Sequence, residues 1–327
     1  MQRKLIAILF SIIVILVSAG CSTGGVNPKK PTGDFRVGSE GLAIRFARLP
    51  ARIYAEDSNY DDHEFLVDVE VLNKGAFPQP DSETLRGDIY LSGFDSAIIT
   101  MDSANAHKAL DSNNLGGKSS TNKEGSRDLI SFYSDINLGD RQIDSFKPTI
   151  MATACYEYMT TGNIPVCIDS DPYKITAGKK VCTVPSSYTV GGGTQGAPVA
   201  ISKVEEEVMS NRIQFRIHIR NVGKGDVIDS NYLQDCNPYY SSSLSVSNTD
   251  RVYLDTAQIS NADITYNCRP KDRIIRLYNG EGVIYCDFTS SDGFDKQMPA
   301  YTSPLLIKLR YVYRSTISQP VEIIRIK

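Results

Sequence analysis

Alternation of apolar and polar side chains is the feature that most constrains how this chain folds. Apolar residues occupy every second position from Phe65 to Val71 and again from Ile213 to Ile219. Successive side chains of a strand point to opposite faces, so this pattern predicts strands with one buried face. Further strands are predicted at residues 42–46, 88–92, 128–133, 149–158, 180–184, 199–204, 251–254, 273–277, 282–288, 305–313 and 321–326.

Six or seven strands in each half, separated by Gly, Pro, Asn and Asp turns, predict an all-β fold of two tandem immunoglobulin-like antiparallel β-sandwiches. A length of 327 residues also fits two domains. We expect a first sandwich at 38–190 with a surface insertion at 96–126, a flexible Gly-rich linker at 191–196, and a second sandwich at 197–327. Each sandwich is expected to have its own apolar core.

A sequence motif is repeated in the two halves of the chain. Val67-x-Val69-x-Val71-x-Asn73-x-Gly75 matches Phe215-x-Ile217-x-Ile219-x-Asn221-x-Gly223, which indicates an internal duplication. The Asn side chain is expected to close an Asx-turn at the strand end, and the Gly to supply the positive φ that leaves the sheet. The motif is therefore interpreted as structural and not as a binding site.

The first 21 residues predict export. Arg3 and Lys4 precede an apolar run at 5–17, which is shorter than the roughly 20 residues of a membrane span, and small residues follow at 18–20. We interpret 1–20 as a signal peptide of the prokaryotic lipoprotein type, Cys21 as the lipid-modified residue, and 21–37 as a flexible tether to the membrane. An uncleaved N-terminal helix and plain secretion are the alternatives, and all three place the chain outside the cytoplasm.

The cysteines fit the same compartment. With Cys21 set aside, six remain, and none is spaced as C-x-x-C. We predict disulfides among them, with Cys167–Cys182 as a plausible hairpin clamp and the other pairings left open. Three cysteines fall in each half, so complete pairing requires a bridge between the halves. The disulfide candidates are Cys155, Cys167, Cys182, Cys236, Cys268 and Cys286.

The sequence carries few groups in an arrangement suited to catalysis or metal binding. The formal net charge is −3, which argues against a nucleic-acid partner. Asp61, Asp62 and Glu64 are weak calcium candidates beside His63, but they lack the spacing of a calcium loop. No nucleophile with a nearby base is recognisable, and Trp, which often forms sugar platforms, is absent. We therefore expect no catalytic residues, no cofactor and no bound metal.

Five segments carry a resemblance to a known family. They are Gly41-Leu42 with Phe46, Asn73-Lys74-Gly75-Ala76, Tyr90-Leu91-Ser92-Gly93-Phe94-Asp95, Asn221-Val222-Gly223, and Ser318-Gln319-Pro320-Val321-Glu322-Ile323. In these segments the chain resembles archaeal surface lipoproteins with paired domains similar to the CARDB adhesion-type immunoglobulin module. The resemblance implies the sandwich fold and a surface location, and it brings no catalytic residues.

The leading hypothesis is a non-catalytic lipoprotein of the cell envelope, used for adhesion, recognition or scaffolding. Its partners would be the membrane, through the lipid, and a protein or envelope polymer, which the outward residues Arg216, His218 and Arg220 could contact. The alternative is a subunit of a surface filament built by strand exchange, with residues 321–326 as the donor strand. A secreted hydrolase is the least favoured class.

Overall fold

The structure is a computed structural model that describes residues 35–56, 64–79, 84–101, 106–138, 143–172, 180–190, 194–239 and 244–326. The regular structure of these residues consists of twenty strands and four single-turn 3₁₀ helices. The 3₁₀ helices are Gln234–Cys236, Val246–Asn248, Thr265–Asn267 and Ser290–Asp292. The strands are β1 (Leu42–Arg48), β2 (Arg52–Glu56), β3 (Glu64–Asn73), β4 (Gly87–Ser92), β5 (Ile99–Thr100), β6 (His107–Ala109), β7 (Arg127–Ile136), β8 (Ser145–Phe146), β9 (Thr149–Ile168), β10 (Tyr188–Thr189), β11 (Val199–Val208), β12 (Arg212–Asn221), β13 (Asp226–Ile228), β14 (Arg251–Ile259), β15 (Ala262–Asp263), β16 (Cys268–Arg269), β17 (Ile274–Arg276), β18 (Glu281–Thr289), β19 (Tyr301–Pro320) and β20 (Glu322–Ile326).

These strands form four sheets, and the predicted all-β, antiparallel class is confirmed. The first sheet has the order β1-β3-β7-β5, and the second has the order β10-β11-β12-β18-β16. A third sheet of eight strands runs β15-β14-β19-β9-β4-β6, with β13 and β17 paired to β19 and β14. We call it the shared sheet, because it takes strands from both halves of the sequence. A small sheet, β2-β20-β8, completes the fold.

The shared sheet is built on one long ribbon. Strands β9 and β19 pair over their full 20 residues, from Thr149↔Pro320 to Ile168↔Tyr301. At about 3.3 Å per residue, the ribbon is roughly 65 Å long. Strand β4 extends it beside residues 151–156 of β9, and β14 extends it beside residues 305–310 of β19. Each end of the ribbon thus contributes to a different sandwich.

The expectation that each sandwich has an apolar core of its own is therefore corrected, whereas residues 191–193 of the expected linker lie outside the described residues. Residues 35–327 form one compact unit, and a single cluster of buried apolar residues includes Phe132 of β7 and Phe215 of β12. The C-terminal end of the expected linker is also packed. The backbone N–H of Gly196 donates to the carbonyl of Gly38 (3.1 Å), and its own carbonyl accepts from Ala76. The two cores merge because β9 and β19 belong to both sandwiches.

A pair of tyrosines repeats on the two strands of the ribbon. Tyr156 of β9 accepts a hydrogen bond from the N–H of Leu42, the first residue of β1 (3.0 Å). Tyr311 of β19 does the same with Val199, the first residue of β11 (3.3 Å). Burial raises the pKa of both phenols, so they act as neutral hydroxyls.

The second tyrosine of each pair binds the repeated Asn-x-Gly turn. Tyr158 accepts from the N–H of Phe77 (3.3 Å), four residues after Asn73. Tyr313 accepts from the N–H of Gly225 (2.7 Å), four residues after Asn221. In the ribbon, Tyr156 lies opposite Tyr313 and Tyr158 lies opposite Tyr311. The duplicated halves are thus related by an approximate two-fold axis through the middle of the ribbon.

The structure revises the reason for the glycines in the repeated motif. Both Asx-turns are present, since Asn73 Oδ1 accepts from Gly75 N (3.1 Å) and Asn221 Oδ1 accepts from Gly223 N (3.2 Å). Neither Gly75 nor Gly223 has the predicted positive φ. A Cβ atom at Gly75 would instead collide with the hydroxyl of Tyr158, and one at Gly223 with that of Tyr313. Glycine is needed there for close approach of the tyrosine.

The two asparagines make a matched pair for a stability measurement. Asn73 is completely buried, and its amide donates to the carbonyls of Phe77 and Leu115 (2.8 Å each). Asn221 is half-buried, and its amide donates to Gly225. We expect Asn73→Ala to lower the free energy of unfolding by about 3 kcal/mol and Asn221→Ala by about 1 kcal/mol, because unpaired buried carbonyls are costly. Equal losses in urea unfolding would contradict this assignment.

Two local predictions are wrong. Residues 96–126 are framework and not a surface insertion, because β5 pairs with β7 in the first sheet and β6 pairs with β4 in the shared sheet. The predicted strand at 180–184 is an irregular segment. It is held by the Cys167–Cys182 disulfide and by an ion pair between Lys180 Nζ and Asp169 Oδ2 (2.6 Å).

Candidate functional site

One half of the shared sheet has its outer face covered. Residues 229–239, which we call the strap, leave β13 and cross to the first sandwich, where the Cys155–Cys236 disulfide fixes them to β9. Tyr232 and Leu233 of the strap pack on a buried apolar cluster that contains Tyr90 and Val312. Tyr239 donates from its hydroxyl to the carbonyl of Leu91 on β4. The outer face of the first sandwich is therefore closed by a segment that belongs to the second.

The other half of the sheet differs at the equivalent position. Since Tyr156 and Tyr311 are equivalent in the duplication, so are the residues before them, Cys155 and Arg310. In place of an anchored strap, Arg310 lines a cavity of about 320 Å³. We call it the junction cavity. It is lined by Phe77, Thr84, Arg86, Glu157, Tyr158, Met159 and Arg310.

The charged groups of the junction cavity are paired. Arg86 donates from Nε and Nη2 to Glu157 Oε2 (3.0 and 2.8 Å). Arg310 Nη2 lies 3.4 Å from Asp255 Oδ1. Glu157 is the one carboxylate among the described lining residues, and Arg86 neutralises it.

A patch of arginines and tyrosines lies on the same open face. Arg251 and Tyr253 of β14 point away from the core, because Val252 between them is buried. Arg276 of β17 lies directly opposite Arg251. Tyr266 lies in the 3₁₀ helix Thr265–Asn267, Arg273 in the turn before β17, and Tyr278 just after β17. We call the set Arg251, Tyr253, Tyr266, Arg273, Arg276 and Tyr278 the arginine–tyrosine face.

Cation–π contacts order the arginine–tyrosine face. The guanidinium of Arg273 lies 4.9 Å from the ring centre of Tyr253 and 5.7 Å from that of Tyr266. Arg276 lies 5.3 Å from the ring of Tyr278. Tyr266 is 75% exposed and Tyr278 is 69% exposed. The rings thus hold the guanidinium groups in place while remaining open to solvent.

The positive charge of this face is not neutralised locally. Within the described residues, no carboxylate lies within ion-pair distance of Arg251, Arg273 or Arg276. Like charges directly opposite each other in a sheet are destabilising, as at Arg251↔Arg276. Arg273 also has a left-handed backbone (φ 61°), which is costly for a residue with a side chain. Such local costs are typical of functional surfaces.

The outer face of the second sheet, which the sequence suggested for anion binding, is neutralised instead. Glu205 accepts from Arg216 (3.3 Å) and His218 (3.2 Å) and also pairs with Lys203. Arg220 pairs with Glu281 (3.3 Å). His218 lies on this outer face, as its position in the alternation predicts. Charge pairing removes the basic character that Arg216, His218 and Arg220 suggest in sequence.

Two neighbouring carboxylates of β11 have opposite environments. The Lys203 ammonium and His218 lower the pKa of Glu205 to about 2. Burial raises the pKa of Glu206 to about 7, although the Tyr188 hydroxyl donates to its Oε2 (2.8 Å). Successive side chains of a strand point to opposite faces. These adjacent residues of β11 thus differ in charge at weakly acidic pH, where Glu205 is ionised and Glu206 is protonated.

Glu206 predicts a pH dependence of stability. Its pKa in the folded protein is above the value of 4.5 for an unperturbed carboxyl, so the fold favours the protonated form. Stability should therefore fall as the pH rises from about 4.5 to 7. We expect Glu206→Gln to remove most of this fall in thermal unfolding between pH 5 and 8, while the exposed Glu207→Gln keeps it. Parallel curves for the wild type and Glu206→Gln would contradict the assignment.

The structure describes only some of the residues singled out by the sequence. Cys21, Asp61, Asp62 and His63 lie outside the described residues, and Glu64 begins β3 opposite Asp135. Among the described side chains, no group of three or more His, Cys, Asp or Glu is arranged to hold a metal ion. No helix in the described ranges is long and apolar enough to cross a membrane.

All six disulfide candidates are paired. The expected clamp Cys167–Cys182 is present, and Cys155–Cys236 is the predicted bridge between the halves. Cys268 and Cys286 join neighbouring strands β16 and β18. Three disulfides indicate maturation in an oxidising compartment outside the cytoplasm.

Sequence reasoning missed the arginine–tyrosine face, although a signal existed. Arg251-x-Tyr253 and Arg276-x-Tyr278 share the same spacing, which places both residue types on one face of each strand.

In comparisons with known proteins, no protein-family model and no curated protein matches this chain. The geometry of the site is therefore the basis for the functional proposal.

Proposed function

We propose that this protein is a non-catalytic recognition protein of the cell envelope, and that the open half of the shared sheet is its binding surface. The observation that carries the proposal is the difference between two equivalent faces. The strap and the Cys155–Cys236 disulfide close one face, whereas the other presents exposed tyrosines and arginines that pair with no carboxylate of the described residues. A duplication in which the described residues cover only one of two equivalent faces fits selection for binding at the other face.

The tether and the disulfides support the location. Residues 1–20 have the pattern of a lipoprotein signal, and Cys21 is followed by a polar stretch that would hold the sandwiches away from the membrane. The three disulfides fit the same side of the membrane. Recovery of an intact Met1 in protein purified from its own membrane would contradict lipid attachment at Cys21.

The filament alternative receives less support from the C-terminal strand. β20 lies between β2, with which it is parallel, and β8, with which it is antiparallel. Donation of this strand to a neighbouring molecule would break both pairings. The CARDB-like resemblance stays a proposal about ancestry, and it agrees with an adhesion or scaffolding role.

Binding to isolated envelopes tests the proposed surface. The full chain would be attached to beads through its N terminus, and retained envelope fragments of its own organism would be measured. We expect Tyr266→Ala with Arg273→Ala to reduce retention at least ten-fold. The matched control is Arg216→Ala with Tyr285→Ala, which removes a comparable cation–π pair (5.5 Å) from the opposite sheet. Equal retention by both variants, or equal loss, would overturn the proposal.

A further inference from the structure

We propose that the arginine–tyrosine face binds an acidic polysaccharide, a chain of sugar rings that carries carboxylate groups. This inference rests on the proposed function and names the ligand class of the same surface. It follows from two properties that occur together on this face: arginines with no carboxylate partner in the described part of the chain, and tyrosine rings that are open to solvent.

The arginines define the charge of the ligand. Arg251 and Arg276 are directly opposite on neighbouring strands, so their Cβ atoms lie about 4.5–5.5 Å apart. A carboxylate between them would relieve the repulsion of two like charges and could accept hydrogen bonds from both. Arg273, held over Tyr253, provides a further donor group on the same surface. An anion with several regularly spaced carboxylates fits this row better than a single small acid does.

The tyrosines define the rest of the ligand. Tyr266 and Tyr278 are mostly exposed, and each has a guanidinium group near its ring. An aromatic ring offers an apolar face on which the C–H groups of a sugar ring can pack, and a hydroxyl at its edge. A simple polyanion without rings would leave these faces unused. The combination therefore favours an acidic sugar polymer over an acidic peptide.

Two carboxylates near this surface make contacts of their own. Asp272, in the turn before β17, accepts from the backbone N–H of Ile274 (3.2 Å). Asp255 is engaged with Arg310 and Thr256. Tyr253 lies opposite Arg310, and Arg310 lies opposite Met159, so the face continues along one row into the junction cavity. A polymer could extend in that direction across the sheet.

Binding of defined polymers by the full chain tests the ligand class. The probes are polygalacturonate, its carboxyl-reduced neutral form, poly-glutamate and vesicles of anionic phospholipid. We expect polygalacturonate to bind at least ten-fold more tightly than each of the other three, with affinity falling as salt is added. Arg273→Ala with Arg276→Ala, and separately Tyr266→Ala with Tyr278→Ala, should each cost at least ten-fold.

Two controls separate ring stacking from charge and from misfolding. Tyr266→Phe with Tyr278→Phe keeps the rings and should bind within about two-fold of the wild type, whereas Arg216→Ala with Tyr285→Ala should have no effect. Equal binding of poly-glutamate or of anionic vesicles would overturn the inference. If no acidic polysaccharide binds while envelope retention still depends on the face, the ligand class is wrong and the proposed function stands. If envelope retention is also independent of the face, both fail.

Discussion

Phe132→Ala and Phe215→Ala are each expected to lower the free energy of unfolding by about 3–5 kcal/mol, and to do so in the same single transition. Both side chains are completely buried, one on β7 of the first sandwich and one on β12 of the second. Removal of a buried aromatic ring costs its transfer free energy and leaves a cavity. Because the two sandwiches share β9 and β19, damage to either core should destabilise the whole unit.

Calorimetry of the full chain distinguishes one shared core from two independently folding domains. Two separate cores would give two transitions, and each variant would shift only one of them. Leu129→Ala serves as the control, because Leu129 is on the same strand as Phe132 but is exposed. Its effect should stay within about 0.5 kcal/mol. A second transition that one phenylalanine variant leaves unmoved would contradict the shared core.

Removal of the strap disulfide is expected to have the other large effect. Cys155 and Cys236 are separated by 81 residues in sequence, whereas Cys167 and Cys182 are separated by 15. In the chain-entropy account, a bridge stabilises more when it closes a longer loop, by about 4–5 kcal/mol for the first and about 3 kcal/mol for the second. We expect Cys155→Ala with Cys236→Ala to be the more damaging double variant in urea unfolding.

Loss of the strap also has a local consequence. The strap covers the apolar cluster around Tyr90 and Val312, so its release should expose that surface to a hydrophobic dye. Cys167→Ala with Cys182→Ala leaves the strap in place and should not increase dye binding. A larger loss of stability from the second pair, or equal dye binding by both, would contradict the assigned role of the strap.

The sequence predicted the single strands better than their arrangement. Alternation located β3 and β12 because each buries one face, and the repeated Asn-x-Gly phrase located the turns that follow. The far half of β9 was missed, because Thr-Thr-Gly-Asn-Ile-Pro after Tyr158 has the composition of a turn. Its strand conformation comes from pairing with β19, which is distant in sequence.

Proline placement explains how such a segment remains a strand. Pro165 lies opposite Pro304 in the ribbon. β4 pairs with residues 151–156 of β9 and β14 with residues 305–310 of β19, so neither proline lies within those pairings. A missing N–H is tolerated where no further strand needs it. The sequence shows the proline but does not show that no further strand pairs there. From the sequence alone, the proline therefore predicts the end of the strand.

The candidate site could be predicted only in its parts. Residues 251–254 and 273–277 were expected as strands, and β14 and β17 confirm both, although β14 continues to Ile259. Their pairing, which sets Arg251 against Arg276, depends on long-range register. The neutralisation of Arg216 and His218 by Glu205 depends on register in the same way. Residue type indicated charge, and strand pairing decided which charges were available for binding.

Cleavage between the halves is the most direct test of the central claim that the two sandwiches are fused through one sheet. A protease site would be inserted at residues 191–193, and the cut protein would be run on size exclusion in reductant without denaturant. We expect one particle with the elution volume of the uncut chain, since the 20-residue pairing of β9 with β19 remains after the disulfides are reduced. Elution of two separate halves would contradict it.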